Sequence, residues 1–95
     1  NNLPKPVSWL VADGTHHPDI KPGLYDLVFA NILAAPLIEM AQGITETLAI
    51  NGQLILAGLL NEQAAAVQNA YQANGLKMVR SLQLGDWTIL SFCKP

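Results

Sequence analysis

The 95-residue chain has few charged residues for its length. They make up 13% of the sequence and apolar residues make up 51%, whereas about 25% of the residues of an average globular protein are charged. A domain of this size buries only about two thirds of its unfolded surface. We therefore expect another domain or another copy to cover part of the apolar surface. We also expect the chain, which begins at Asn1, to be a fragment or a processed product.

Cysteine and clustered basic residues are also scarce. The single cysteine, Cys93, excludes an internal disulfide and a CxxC metal motif, and it is best interpreted as a small buried residue of a strand. The net charge is −2 and the five basic residues are scattered along the chain. This distribution lacks the basic patch of a protein that binds nucleic acid directly.

Long apolar runs are absent as well. The richest segment, Leu27 to Ile38, is interrupted by Asn31 and Pro36, and no run reaches the roughly 18 residues needed to span a bilayer. No secretory signal is apparent. These observations favour a cytoplasmic location without membrane contact.

The sequence does contain alternating strand-like and helix-like segments. Residues 7–12 and the continuous apolar run 25–30 are typical of strands, the second of them buried on both faces of a parallel sheet. Pro36 suits the first turn of a helix that ends near Ala49. The sequence Asn51-Gly52 then predicts a turn into a second buried strand, residues 53–58.

The second half of the chain predicts one more helix and a hairpin. Asn61 is a plausible N-cap for a helix over residues 62–73, and Asn74-Gly75 is typical of its C-terminal cap. The last two strand-like runs are joined only by Gly85-Asp86, which permits antiparallel pairing and forbids a parallel crossover. The order predicts an α/β fold with a parallel sheet and a terminal antiparallel hairpin.

Several residues follow predicted strands at their carboxyl ends, where open parallel sheets bind ligands. They are Asp13, Asn31 and the segment 58–60. If the strands are neighbours in the sheet, these residues lie along one rim.

Four segments carry a resemblance to a known family. They are "ANIL" after the second strand, "NGQLILAGLL", "EQAAAV" and the "GDW" turn. At these spacings, over roughly residues 7–93, the chain resembles the C-terminal half of a class I S-adenosylmethionine-dependent methyltransferase. More narrowly, it is similar to the PrmA family, which methylates the eleventh protein of the large ribosomal subunit.

The resemblance implies a partial Rossmann-like methyltransferase sheet, S-adenosyl-L-methionine as cofactor of the full-length enzyme, and a large-subunit ribosomal protein as substrate. The methylated groups would be amines, of lysine side chains and of the N-terminus. The glycine-rich loop and the acidic ribose-binding strand end of such enzymes are missing from these residues. We therefore expect residues 1–95 to be the C-terminal part of a catalytic domain, inactive alone and unable to bind S-adenosylhomocysteine (SAH) in a calorimetric titration.

Asn31 is the candidate catalytic residue. Lysine has a pKa of about 10.4 and must lose a proton before it can accept a methyl group. An asparagine carbonyl can accept the N–H bonds of the neutral amine and orient its lone pair. The resemblance also implies that Asn31 contacts the cofactor. Asparagine at a strand end also fits a plain turn, but the flanking match favours the functional interpretation.

The remaining candidates are weaker. The resemblance implies that Asp13 accepts a hydrogen bond from the adenine amino group, although an Asp-Gly turn explains it as well. His16 and His17 have no partner at metal-ligand spacing, so no metal site is predicted. Trp9 and Trp87 are interpreted as core or hairpin packing residues.

Two other functions remain open. One is a class I methyltransferase with a different substrate, such as nucleic acid, although the basic patch is missing. The other is a non-catalytic α/β module that self-associates through an exposed sheet edge, giving a homo-oligomer.

Overall fold

A computed structural model describes residues 7–11, 25–31 and 33–95. Its five strands form one sheet in the order β1-β2-β3-β5-β4. The elements are β1 (Val7–Val11), β2 (Tyr25–Asn31), α1 (Ala34–Glu39), α2 (Ala41–Thr47), β3 (Leu48–Leu60), α3 (Asn61–Ala73), β4 (Lys77–Leu84) and β5 (Trp87–Cys93). The predicted α/β class is confirmed.

The first three strands form the parallel part of the sheet. β2 lies between β1 and β3, with Asn31 in register with Val11 on one side and Ala57 on the other. Three neighbouring strands therefore direct their carboxyl ends to one edge, called here the carboxyl edge. The predicted adjacency of these strand ends is confirmed for β2 and β3, while Asp13 lies outside the described residues.

The last two strands form the predicted antiparallel hairpin. β5 pairs with both β3 and β4. Gly85 adopts a φ of 61° at the first central position of the turn, as a type II′ hairpin turn requires. Because β5 runs opposite to β3, this turn lies at the carboxyl edge, next to Leu60 and its partner Trp87.

The three helices of the described segments cover one face of the sheet, called here the covered face. Alternate residues of each central strand point to it, as the two-residue period of a strand requires. They pack against Leu37, Ile44, Val67 and Tyr71 of the helices. The fully buried strand residues are Val28, Ala30, Leu54, Leu56, Leu90 and Phe92.

The predicted single helix, with Pro36 in its first turn and its end near Ala49, is wrong in its continuity. The chain forms two short helices that meet at Met40, where φ is −90° and ψ is 3°. Pro36 does lie in the first turn of α1, where a missing N–H costs nothing. The periodicity of Leu37, Ala41 and Ile44 indicated the buried side correctly, because a single non-helical residue hardly changes the spacing.

The predicted turn at Asn51-Gly52 is a bulge inside β3. Asn51 has a φ of 67°, and the pairing with β2 shifts register between Tyr25 and Leu27. Backbone hydrogen bonds to the C-terminal segment hold the bulge, from Asn51 N to Lys94 O (2.7 Å) and from Lys94 N to Gly52 O (2.9 Å). Leu48 before the bulge pairs with Tyr25, and Gln53 after the bulge pairs with Leu27. The strand therefore begins at Leu48.

The prediction for the N-terminal end of α3 is wrong, and the prediction for its C-terminal end is confirmed. Leu60, not Asn61, is the N-cap residue, and its N–H donates to the Gln63 side chain at 3.0 Å. At the other end, Gly75 has a φ of 94° and its N–H donates to Gln72 O (3.0 Å) while Leu76 N–H donates to Tyr71 O (3.2 Å). This pattern is the Schellman C-cap that Asn74-Gly75 predicted. None of the helices in the described segments is long and apolar enough to cross a membrane.

Candidate functional site

Asn31 is the last residue of β2 and lies at the carboxyl edge. Val28 and Ala30 of the same strand are buried against the helices, so the alternation of the strand points Asn31 to the opposite face. Its side chain is exposed. The predicted position at the end of a central parallel strand is confirmed, and the amide is accessible to a ligand.

Gly58 of β3 makes room for the Asn31 amide. A Cβ atom built on Gly58 would overlap Asn31 Oδ1, so the asparagine side chain reaches across to the neighbouring strand. Gly58 also has a φ of 79°, a left-handed conformation in which other residues are strained. The backbone conformation therefore favours glycine, and a side chain at this position would displace the Asn31 amide. Contrary to the prediction that residues 58–60 follow the strand, they continue β3 in a bulge opposite β5.

The helix after Asn31 is fixed to the core. The Tyr71 hydroxyl of α3 donates a hydrogen bond to Leu37 O of α1 at 2.7 Å. The Tyr71 ring also packs against Phe92, with centroids 5.6 Å apart. Burial raises the pKa of Tyr71 above its usual range, so the hydroxyl stays a donor. The backbone that follows the candidate site is thereby held on the sheet.

The chemistry available at Asn31 is that of a neutral amide. Its oxygen accepts hydrogen bonds and its nitrogen donates them, and neither group titrates. It can therefore orient a ligand without taking or giving a proton. Among the described residues, the strand partners Val11 and Ala57 and the adjacent Gly58 bring no ionisable group to Asn31. Asp13, His16 and His17 lie outside the described residues, so Asp13 stays a prediction.

The tip of the predicted β4–β5 hairpin also lies at this edge, and its attachment to Asn61 is a feature that the sequence did not predict. Asn61 holds it with three hydrogen bonds, which are Asn61 N to Asp86 O (3.0 Å), Asn61 Nδ2 to Gly85 O (2.9 Å) and Thr88 Oγ1 to Asn61 Oδ1 (2.7 Å). The expectation that Asn61 caps α3 missed this role because its partners are 24 and more residues away in sequence.

Of the two interpretations of Trp87, core residue or hairpin packing residue, the first is wrong, and Trp87 lies in the hairpin opposite Leu84. Its side chain is 51% exposed. Thr88 and Leu90 of β5 are buried against the helices, so the alternation of the strand points Trp87 to the opposite face. Trp9 lies in β1, whose side chains are outside the described part of the structure.

Comparisons with known proteins agree with this arrangement. The family model described as ribosomal protein L11 methyltransferase (PrmA) matches residues 6–95. The chain belongs to the PrmA family. Among curated PrmA relatives, the ribosomal protein L11 methyltransferase of Caulobacter sp. (strain K31) is 46% identical over 71 residues, which is 75% of this chain and 25% of the relative. That of Brucella suis is 40% identical over 91 residues, 95% of this chain and 32% of the relative.

Solved structures show the same fold. The ribosomal protein L11 methylase from Lactobacillus delbrueckii subsp. bulgaricus superposes with a TM-score of 0.68 at 28% identity, over 74% of this chain and 37% of that chain. PigF, solved with SAH, has a TM-score of 0.60 at 13% identity, over 81% of this chain and 32% of that chain, and supports the fold alone. The chain thus spans between a quarter and a third of the length of the PrmA relatives above.

Proposed function

We propose that these residues form the carboxyl-side part of the catalytic domain of an S-adenosylmethionine-dependent protein methyltransferase, and that the enzyme methylates amino groups of ribosomal protein L11, on lysine side chains and at the N-terminus. Family membership supports the reaction class. The observation that carries the proposal is the exposed Asn31 amide at the end of a central parallel strand, beside a glycine that leaves it room.

The carboxyl edge suits the proposed cofactor. The Asn31 amide lies over Gly58, where no Cβ displaces it, and an amide can bind the polar groups of a nucleoside or amino acid. When bound, S-adenosylmethionine supplies an electrophilic methyl group. Asp13 is proposed to bind the adenine amino group. The glycine-rich loop implied by the resemblance is not among these 95 residues, so cofactor binding would need further chain segments.

The proposed task of Asn31 is to position the acceptor amine. A neutral amine has N–H donors and one lone pair, and the lone pair must point at the methyl carbon. The Asn31 carbonyl accepts one N–H bond and thereby fixes the direction of the lone pair. The amide does not remove the amine proton, because it has no basic group in the accessible pH range.

The test uses Asn31→Ala in a full-length PrmA enzyme that carries these residues. We expect kcat for methylation of ribosomal protein L11 to fall by about 100-fold, the cost of a misplaced reactant. The free energy of unfolding should change by no more than about 0.5 kcal/mol, since the side chain is exposed. Mass spectrometry of the product and thermal unfolding measure the two effects.

Asn69→Ala is the matched control, because Asn69 is an exposed asparagine of α3. It should retain full activity. If Asn31→Ala lost stability while the folded fraction kept its specific activity, Asn31 would be a turn residue and the proposal would be wrong.

A further inference from the structure

We propose that the tip of the β4–β5 hairpin, with Trp87 and Asp86 held in place by Asn61, binds the cationic, amine-bearing segment of the protein substrate. The inference rests on the proposed function and extends it to a surface that recognises the substrate. It starts from Trp87, which is 51% exposed, because tryptophan buries a large area and is enriched at protein interfaces.

The hairpin tip and Asn31 face the same side of the sheet. In β5, Thr88, Leu90 and Phe92 are buried against the helices, so the alternate residues Trp87 and Ile89 point to the opposite face. That face is also the one to which Asn31 points. Leu60 and Leu84 pair with Trp87 from the two neighbouring strands, and they widen the apolar surface around the indole.

The distance between the two features matches a bound peptide. β2 and β5 are separated by β3, which places them roughly 10 Å apart. The strand pairing places Ile89 of β5 level with residues 57–58 of β3 and therefore with Asn31 of β2, the partner of Ala57. Trp87 is two residues further along β5 toward the carboxyl edge, a distance of about 7 Å. The separation of about 12 Å corresponds to about three or four residues of extended chain. A substrate whose amine lies at Asn31 would bring its neighbouring residues over Trp87.

The charge at this edge favours a cationic ligand. Glu62 at the start of α3 and Asp86 in the hairpin turn are exposed acidic residues near the carboxyl edge. The basic residues Lys77, Arg80 and Lys94 of the described segments lie toward the middle or the opposite edge of the sheet. Ammonium groups also bind to the face of an indole ring. A lysine-containing segment therefore complements this surface through the charge of Asp86 and the face of the Trp87 indole.

The surface is held rigid before any ligand binds. The three hydrogen bonds of Asn61 join the start of α3 to Gly85, Asp86 and Thr88, which are the residues on both sides of Trp87 and its turn. An aromatic side chain on a fixed backbone loses little conformational entropy on binding. Asn61 is therefore a positioning residue for the tip, and it does not itself contact the reacting amine.

The experiment compares Trp87→Ala and Asn61→Ala in a full-length PrmA enzyme that carries these residues, with ribosomal protein L11 as substrate. Trp87→Ala should raise KM for the protein substrate by about 10- to 30-fold, as truncation of an interfacial tryptophan does. Asn61→Ala should raise it by about three- to tenfold with kcat unchanged. The dissociation constant of SAH should stay within about twofold in both variants.

Val79→Ala is the matched control, because Val79 is 57% exposed on the same hairpin but distant from the tip. Its KM should equal that of the wild type. Trp87→Phe, which keeps an aromatic face, should recover part of the loss. Asp86→Asn should raise KM by a smaller factor, and this increase should vanish at high salt.

The outcomes separate the inference from the proposed function. Unchanged KM in Trp87→Ala, with wild-type methylation intact, would overturn the inference alone. If the wild type were a dimer and Trp87→Ala a monomer in light scattering, with KM unchanged, the tip would be a contact between two copies. That result would also overturn the inference. A wild-type enzyme that binds SAH but methylates no amine would refute the proposed function, and the inference with it.

Discussion

The two faces of the sheet are built from the same strands and differ in their surroundings. On the covered face, Leu54, Leu56 and Phe92 are fully buried beneath the three helices. On the opposite face, Phe29, Ile55 and Ile89 remain half-buried within the described part of the chain. Asn31 and Trp87, the residues that we connect with function, both point to this second face.

This difference separates stability from function in the molecule. Burial of aliphatic side chains on the covered face contributes most of the hydrophobic free energy, since that contribution scales with the apolar area removed from water. The opposite face retains accessible polar and aromatic groups at one edge. Substitutions on the two faces should therefore affect different observables, and the predictions below use this contrast.

The largest expected effect is on stability at the covered face. Leu56→Ala should lower the free energy of unfolding by about 3–5 kcal/mol, through lost burial and the cavity left behind. Ile55→Ala, its neighbour on the opposite face, should cost about 1 kcal/mol. Urea unfolding of both variants measures the difference. Equal losses of unfolding free energy in the two variants would mean that another element covers the opposite face as tightly as the helices cover the covered face.

The second prediction distinguishes two glycines with similar backbone strain. Gly58 and Gly75 have φ values of 79° and 94°, but only at Gly58 would a Cβ meet another side chain, that of Asn31. Both alanine variants should lose about 1–2 kcal/mol of stability from the left-handed backbone. Gly58→Ala alone should also lower kcat, by displacing the Asn31 amide. Steady-state kinetics on the folded fraction measures this, and equal activity of the two variants would remove the proposed link between Gly58 and Asn31.

The sequence predicted the fold wherever one local rule decided it. The continuous apolar run of β2 indicated a central parallel strand, and the two-residue link at Gly85-Asp86 required an antiparallel hairpin. Asn74-Gly75 predicted the Schellman cap through the need for a positive φ. These features depend on residues close together in sequence, so a pattern can predict them.

The failures have other causes. The bulge at Asn51 and the hydrogen bonds of Asn61 to the hairpin depend on partners distant in sequence. The break between α1 and α2 at Met40 followed from no residue pattern. The local sequence around Asn61 could not distinguish an N-cap residue from one that binds the distant Gly85-Asp86 turn. The sequence placed Asn31 at the end of its strand, but the fit between Asn31 and Gly58 depends on strand register.

The third prediction concerns the hydrogen bond that joins α1 to α3 on the covered face. Tyr71→Phe removes the donor to Leu37 O and should cost about 1 kcal/mol at neutral pH. Burial raises the pKa of Tyr71 in the folded state. In the unfolded state the tyrosine hydroxyl has its usual pKa of about 10. Above this pH the unfolded state binds fewer protons than the folded state, so stability falls as pH rises.

The pH dependence is measured by thermal unfolding between neutral pH and pH 11, with Tyr71→Phe as the comparison. The wild type should lose its advantage over the variant as the pH rises above about 10. A stability difference that stays constant over this range would show that Tyr71 ionises normally in the folded state.

The most direct test of the central claim is an amide spectrum of the full-length enzyme recorded by nuclear magnetic resonance before and after addition of SAH. The claim is that the carboxyl edge, on the face opposite the helices, holds the cofactor beside Asn31. We predict that the Asn31 side-chain amide, assigned with Asn31→Ala, and the Gly58 backbone amide shift on binding, while the Asn69 side chain on α3 does not. Binding of SAH that leaves the Asn31 and Gly58 signals unmoved would contradict the account.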